Sequence, residues 1–284
     1  MIIFKQKTAL QAYLSEAQNR GNTIGFVPTM GALHEGHLSL IRAAKNGNAL
    51  TVSSIFVNPT QFNDPKDFEK YPVTIEQDLD WLEKNGCDIL FLPAVEEIYP
   101  PGQKKDEQYT LGYLETVLEG KSRPGHFQGV CQVMNRLLSV VNPDDLYMGQ
   151  KDYQQCMVIK RLIQLSHFKT NLHICPTVRE KQGLAMSSRN LRLTDEQKQQ
   201  ALAIYQSLLY LKKEFDKTDF IRLKEEVHAL LRNAGFNTVD YVELANATDL
   251  TLLTQWDQQT PVVALIAAFM GEIRLIDNMV LTDE

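Results

Sequence analysis

Over the first 180 residues, short apolar runs alternate with amphipathic stretches. Thr23–Thr29 (TIGFVPT) is mostly apolar and ends in a turn; behind it Leu38, Ile41 and Ala44 recur at helical spacing. Ala49–Val57 repeats the buried-strand pattern and gives way to a polar, proline-bearing stretch from Asn58 to Pro72. Thr74–Asn85 predicts a helix that Gly86 stops, and Cys87–Leu92 a third strand. Gln128–Val141 reads as helix, Asp145–Met148 as a short strand, Asp152–Ser166 as helix and Asn171–Cys175 as a last strand. Apolar strands separated by helices predict an α/β fold with a parallel, Rossmann-like sheet covered on both faces. Such sheets bind ligands beyond the carboxyl ends of their strands, and the polar motifs of this chain follow strands.

The pattern changes near residue 180. Thr194-Asp195-Glu196-Gln197 is a capping-box signature opening a long helix, and a second helix precedes Asn233-Ala234-Gly235. Strand patterns follow at Val239–Leu244, Val262–Phe269 and Ile273–Ile276. The expected organisation is a nucleotide-binding domain over 1–180 and a smaller α+β domain over 181–284.

Composition narrows the function classes. The 284 residues carry 44% hydrophobic and 23% charged residues, an ordinary globular balance. A net charge of −6 argues against a nucleic-acid reader, which needs a basic face. The four cysteines are widely spaced without metal-type or CxxC spacing, as expected of free thiols in the cytoplasm. The N-terminal stretch lacks a signal-peptide pattern, and the longest apolar run, Pro261–Met270, is too short to span a bilayer.

The chemistry-bearing segment is Met30-Gly31-Ala32-Leu33-His34-Glu35-Gly36-His37, where a strand gives way to a helix. A helix N-terminus offers unpaired N–H donors and a positive dipole end, and imidazole N–H groups beside it can bond phosphate oxygens. Gly36 lets a ligand approach the backbone. The segment is neither HExxH nor GxGxxG, which argues against a zinc protease and a dinucleotide oxidoreductase. Two structurally satisfied histidines remain the alternative reading. Gly149–Asp152 sits at another strand-to-helix junction: Lys151 suits a phosphate charge and Asp152 a helix cap or ribose hydroxyls, with an exposed ion pair as the alternative. Met186-Ser187-Ser188-Arg189 offers two hydroxyls and a guanidinium to phosphates, or is an ordinary polar linker.

The string PTMGALHEGH (28–37) resembles the opening motif of the pantothenate synthetase family, within the nucleotidylyltransferase superfamily and its HIGH-type signature. SIFVNPTQFN (54–63), EGKSRPGHFQGV (119–130), GQKDYQQ (149–155), LAMSSRN (184–190) and GEIRLIDN (271–278) look like further motifs of that family, in order and at fitting spacing. The resemblance implies an AMP-forming ligase that condenses ATP, pantoate and β-alanine into pantothenate through pantoyl-adenylate. It implies Mg²⁺ with the ATP, a homodimer, and a C-terminal domain that closes over the site.

Carried over residue by residue, the resemblance makes His37, His34, Lys151 and Arg189 catalytic. It assigns ATP binding to Met30, Gly31, His34, Gly36, His37, Gly149, Gln150, Lys151, Asp152, Val178, Met186, Ser187, Ser188 and Arg189. Gln61 and Gln155 become the pantoate-binding residues, and Gln61 also faces β-alanine; no protein metal ligand is implied. An amide suits a hydroxy acid because it both donates and accepts. Asn58 could support the same pocket. His37 is the family's usual proton donor, but a carboxylate nucleophile needs no base, and charge stabilisation by both histidines is the preferred reading. Arg123 is open between the leaving pyrophosphate and a dimer edge, and His126 is read as structural. Val73 and Met148 depart from the family pattern. Two rivals are weighed: another superfamily enzyme, which the Gln61–Gln155 pair disfavours, and a non-catalytic nucleotide-binding module, which intact Lys151, Ser187, Ser188 and Arg189 disfavour.

Overall fold

The protein is described here by a computed structural model covering residues 1–61, 69, 71–102 and 107–282. Most of the predicted polar stretch Asn58–Pro72 beyond Gln61 lies outside the described residues. The chain divides into two compact units, Met1–Gly149 with Val158–Pro176, and Gln150–Met157 with Thr177–Glu284.

The first unit is a six-stranded sheet of β1 (Ile2–Phe4), β2 (Ile24–Thr29), β3 (Leu50–Ile55), β4 (Ile89–Phe91), β5 (Asp145–Gly149) and β6 (Asn171–Cys175). Its order is β1-β4-β3-β2-β5-β6 and every pairing is parallel. β2, β3 and β4 are almost wholly buried, which is why they read as unbroken apolar runs. Helices α1 (Lys7–Asn19), α2 (Glu35–Gly47), α3 (Ile75–Lys84) and α4 (His126–Val141) complete the described crossovers, and α5 (Tyr153–Leu165) follows β5. α2 buries Leu38, Leu40, Ile41 and Ala44, the predicted face, in a core shared with Val27, Ile55, Leu82 and Leu90.

Strand order reverses between β2 and β5, the topological switch point of this sheet. β5 pairs with β2 only through Gly25 and Phe26. The two strands part before Pro28, whose nitrogen has no hydrogen to donate to a ladder. The sheet therefore opens at the carboxyl end of β2, where the His-x-x-His turn begins.

The second unit is antiparallel, β7 (Thr238–Asn246), β8 (Val262–Met270) and β9 (Ile273–Val280), in the order β7-β8-β9. Helices α6 (Asp195–Glu214) and α7 (Phe220–Asn233) cover one face, burying Ala201, Ile204, Leu208, Leu223 and Val227 against Val242, Ala264, Ile266 and Ala268. The predicted capping box forms: Thr194 accepts from the Gln197 amide, and the Gln197 side chain accepts from the Thr194 N–H.

Four elements depart from the expectation. β1 and α1 carry too weak a pattern to be read; β1 has three residues and α1 buries only Leu10, Leu14 and Ala17. Helix α4 starts at His126 rather than Gln128, because Gly125 turns into it with a φ of 80°. β9 runs on past Ile276 to Val280, paired with β8 as far as Val263. The polar pair Asp277-Asn278 interrupts its apolar pattern while both side chains are buried. Among the described residues no helix is long and apolar enough to cross a membrane.

Candidate active site

In the first unit, both histidines of the predicted phosphate turn serve the start of α2. His34 is the N-cap residue; its Nδ1 accepts the Gly36 amide at 3.2 Å. His37 Nδ1 accepts the His34 amide at 3.3 Å, completing a capping box made of two imidazoles. The rings lie 4.1 Å apart between centroids. With Nδ1 accepting, the proton of each neutral ring is assigned to Nε2. Both histidines are partly exposed beside a helix N-terminus. The arrangement suits an anion: backbone amides, a positive dipole end and imidazole N–H donors on one turn.

That turn is held from below by a residue the sequence did not single out. Gly31 and Ala32 both adopt positive φ, 80° and 48°. Asp78, 1% exposed in the first turn of α3, accepts the Ala32 amide at 3.0 Å through Oδ2 and the Leu33 amide at 2.9 Å through Oδ1. Thr74 Oγ1 donates to the same Oδ1 at 3.1 Å. The backbone that strain would otherwise relax is thereby fixed by one buried carboxylate.

Gln61 sits in a second turn of this unit. Its Nε2 donates to Met30 Sδ at 2.9 Å, and its Oε1 accepts from Asn58 Nδ2 at 3.2 Å. The structure thus brings Gln61, Asn58 and Met30 together. Asn58, 1% exposed, also donates to the Gly129 carbonyl and accepts from the Tyr99 hydroxyl at 3.0 Å. Burial pushes the Tyr99 hydroxyl above its ordinary value, so it stays a donor. His126 Nδ1 bonds the Gln61 carbonyl at 2.8 Å and its Nε2 lies 3.0 Å from Arg123 Nη1, which agrees with the structural reading of His126. Gly129 makes the close approach possible: a Cβ there would lie 2.3 Å from the Thr60 carbonyl oxygen. The EGKSRPGHFQGV segment is, in this structure, the seat of the Gln61 turn. Of the two departures from the family pattern, Val73 is exposed and Met148 is buried in β5.

In the second unit, Gln150-Lys151-Asp152 forms a 3-10 turn directly after Gly149, the last residue of β5. Lys151 Nζ lies 4.0 Å from Asp152 Oδ2, a loose ion pair. Gln155, half-buried, follows one turn along α5. Residues 179–185 form a tight hairpin, in which Glu180 N–H bonds Leu184 O at 2.8 Å. Met186 N–H then bonds Val178 O at 3.0 Å, bringing two predicted adenine- and phosphate-side residues together. Ser187 Oγ accepts the Arg189 amide at 3.3 Å, opening the 3-10 turn that bears Ser188 and Arg189. Ser188 is buried; Ser187 and Arg189 are partly exposed.

The polar pair of GEIRLIDN carries no role that is legible in the sequence alone. Asp277 takes the Arg179 guanidinium on both oxygens, at 2.5 and 3.1 Å, and Arg179 stacks over Tyr205 at 4.4 Å. Burial raises the Asp277 carboxyl while Arg179 opposes that rise. Among the described residues no group of three or more His, Cys, Asp or Glu side chains could hold a metal ion.

Comparison with known proteins covers the chain almost from end to end. The family model described as "Pantoate-beta-alanine ligase" matches residues 2–280. A pantothenate synthetase of Cytophaga hutchinsonii is 43% identical over 286 aligned positions, covering 99% of each chain. The crystal structure of pantothenate synthetase from Thermus thermophilus superposes with a TM-score of 0.92 at 37% identity, covering all of both chains. A pantoate-beta-alanine ligase from Francisella tularensis, complexed with beta-gamma ATP and beta-alanine, gives a TM-score of 0.81 at 36% identity, covering 99% of this chain and 98% of that one.

Proposed function

The chain belongs to the pantoate–β-alanine ligase family and condenses pantoate with β-alanine using ATP, releasing AMP and pyrophosphate; we propose that it does so in two steps, with His34, His37, Lys151 and Arg189 as its catalytic residues. In the first step a pantoate carboxylate oxygen bonds the α-phosphorus and the bond to pyrophosphate breaks, giving pantoyl-adenylate. In the second the β-alanine amine bonds the acyl carbon, loses its proton, and AMP leaves. A carboxylate is already ionised at neutral pH, so the protein's task is alignment and stabilisation of growing phosphate charge.

The observation that supports this most is the double-imidazole capping box. It commits both Nδ1 atoms to the backbone, which supports the reading that the Nε2–H groups donate to phosphate oxygens. In this reading His34 and His37, with Met30, Gly31 and Gly36, contact ATP phosphates. Lys151 meets the transferring phosphate, Gly149 and Gln150 give it close backbone approach, and Asp152 faces the ribose. Val178 contacts adenine through its backbone, and Met186, Ser187, Ser188 and Arg189 meet the β- and γ-phosphates. Gln61 and Gln155 hold pantoate, and Gln61 also faces the β-alanine amine. Mg²⁺ belongs with the ATP, whose phosphate oxygens suit a hard cation, and there neutralises phosphate charge. The reading divides the chain into a nucleotide- and pantoate-binding domain over 1–180 and a smaller domain over 181–284. It places the protein in the cytoplasm, where free thiols such as its four cysteines persist, as a homodimer.

The test is ATP–pyrophosphate exchange with the purified protein. Pantoate alone, without β-alanine, is expected to support exchange. Exchange only when β-alanine is also present would refute the adenylate as a separate first product.

A further inference from the structure

Asp277 and Asn278 are consecutive residues of β9, so their side chains leave the sheet on opposite faces. Asp277, 4% exposed, is cross-strand to Ile266, on the helix-covered face. There it binds Arg179, which also donates to the Gly183 carbonyl at 3.2 Å inside the 179–185 hairpin. Gly183 has a φ of 107°, and a Cβ on it would fall 2.1 Å from Tyr205 Cδ1, so the hairpin fits only as it stands over the Arg179–Tyr205 stack. Asn278, 2% exposed, is cross-strand to Leu265 on the other face. Its Nδ2 donates to the carbonyls of Gln150 at 2.9 Å and Lys151 at 2.8 Å, and its Oδ1 accepts from Gln150 Nε2 at 3.3 Å. The amide also fits its strand: Asn278 N–H bonds Asp277 Oδ1 at 2.8 Å.

We infer that Asp277 and Asn278 are positioning residues that fix two segments from one dipeptide, the Lys151 turn through Asn278 and the hairpin leading to Arg189 through Asp277 and Arg179. The inference deepens the proposed roles of Lys151 and Arg189 and rests on them. A 3-10 turn of three residues has little hydrogen bonding of its own. Two carbonyls seated on one buried amide hold it in place, and a misplacement of about 1 Å in a charge-bearing group is enough to cost about 10²-fold in rate. The polar pair inside an apolar strand thereby gains a purpose that packing does not supply, since two apolar residues would bury at less cost there.

The test is a pair of double-mutant cycles read by pantoate-dependent ATP–pyrophosphate exchange in the full-length protein. Asn278→Ala is expected to lower kcat about ten- to a hundred-fold, within the range for a displaced catalytic group, while leaving the KM for β-alanine in the overall reaction unchanged. In a Lys151→Ala background the same substitution is expected to cost nothing further. Asp277→Asn, combined with Arg189→Ala, is expected to behave alike. Additive costs in either cycle would make the pair merely structural and overturn the inference, as would unchanged rates in Asn278→Ala. Unchanged rates in Lys151→Ala or Arg189→Ala are a separate failure, which sinks the roles of those residues and the inference with them. Should Asn278→Ala not fold, Asn278→Asp keeps the size of the side chain, removes the amide donor, and enters the same cycle.

Discussion

Asp78 Oδ1 accepts the Leu33 amide at 2.9 Å, so a carboxylate on α3 sets the backbone that presents the two histidines. Asp78→Asn keeps the shape but turns one acceptor into a donor facing an N–H group. The expected loss is about 1–3 kcal/mol of stability, the usual cost of leaving a buried donor unsatisfied. Activity measured well below the new Tm is expected to fall as well, through KM for ATP. A variant that loses stability but keeps its KM for ATP would confine Asp78 to folding.

The histidine cap allows structure and chemistry to be separated. Asn is a good N-cap residue, so His34→Asn is expected to keep the Gly36 bond and a near-native Tm. It loses the Nε2 donor, and kcat/KM is expected to drop about 10²–10³-fold, as when a transition-state charge contact is removed. His37→Ala should lose both rate and some stability, because its Nδ1 also accepts the His34 amide. Near-normal rates in both variants would leave the imidazoles as caps alone.

Gly129→Ala probes the Gln61 turn. The added methyl would sit 2.3 Å from the Thr60 carbonyl oxygen and 3.0 Å from Gln61 Cα, both backbone atoms that cannot swing aside. Displacing that turn by about 1 Å is expected to lower kcat/KM for pantoate about 10²-fold. Steady-state kinetics with pantoate varied at saturating ATP checks this, and KM for ATP is expected to hold.

How far the chain could be read depended on whether a signal was local. β2, β3 and α2 were legible because burial on one or both faces writes itself into the apolar pattern, and Leu38, Ile41 and Ala44 fall where expected. The His-x-x-His and Lys-Asp turns were legible because their chemistry lies in adjacent residues. Asp78 was not, since Glu76, Asp78 and Asp80 look alike in the sequence and only the tertiary structure buries one of them. Asn58 was suggested only as a support for the substrate pocket, while its bonds to Gly129 and Tyr99 connect positions 71 and 41 residues away in the chain. The last strand was cut short at Ile276 because Asp277 and Asn278 broke its pattern, although their burial is what makes them informative.

A pH prediction concerns the second unit. Burial, with Arg232 and Lys224 nearby, holds His228 below its ordinary value of 6.5, against the pull of Glu243. Folding therefore favours the neutral ring. A depressed histidine contributes nothing adverse above the unfolded value, and stability is lost as pH falls below it, because the unfolded chain binds the proton more readily. Between about pH 7 and 5, spanning the ordinary histidine value, wild-type Tm is expected to fall more steeply than that of His228→Gln. Parallel Tm curves would show that His228 does not carry this acid sensitivity.

The pairing of β2 with β5 has a bearing on how the chain matures. Gly25 meets Asp145, and the Ile24 amide bonds the Asp144 carboxylate across 120 residues. Contacts of that separation form late and slowly, because a long loop must close before they return any energy. Until residue 145 has been made, the flank of β2 that β5 will cover stands open, while the histidine turn can already be seated by α3. The His-x-x-His motif is thus completed early, on a strand whose second neighbour arrives only with residue 145. Failed folding of this enzyme is expected to expose that flank, an apolar edge of the kind chaperones hold and aggregates recruit.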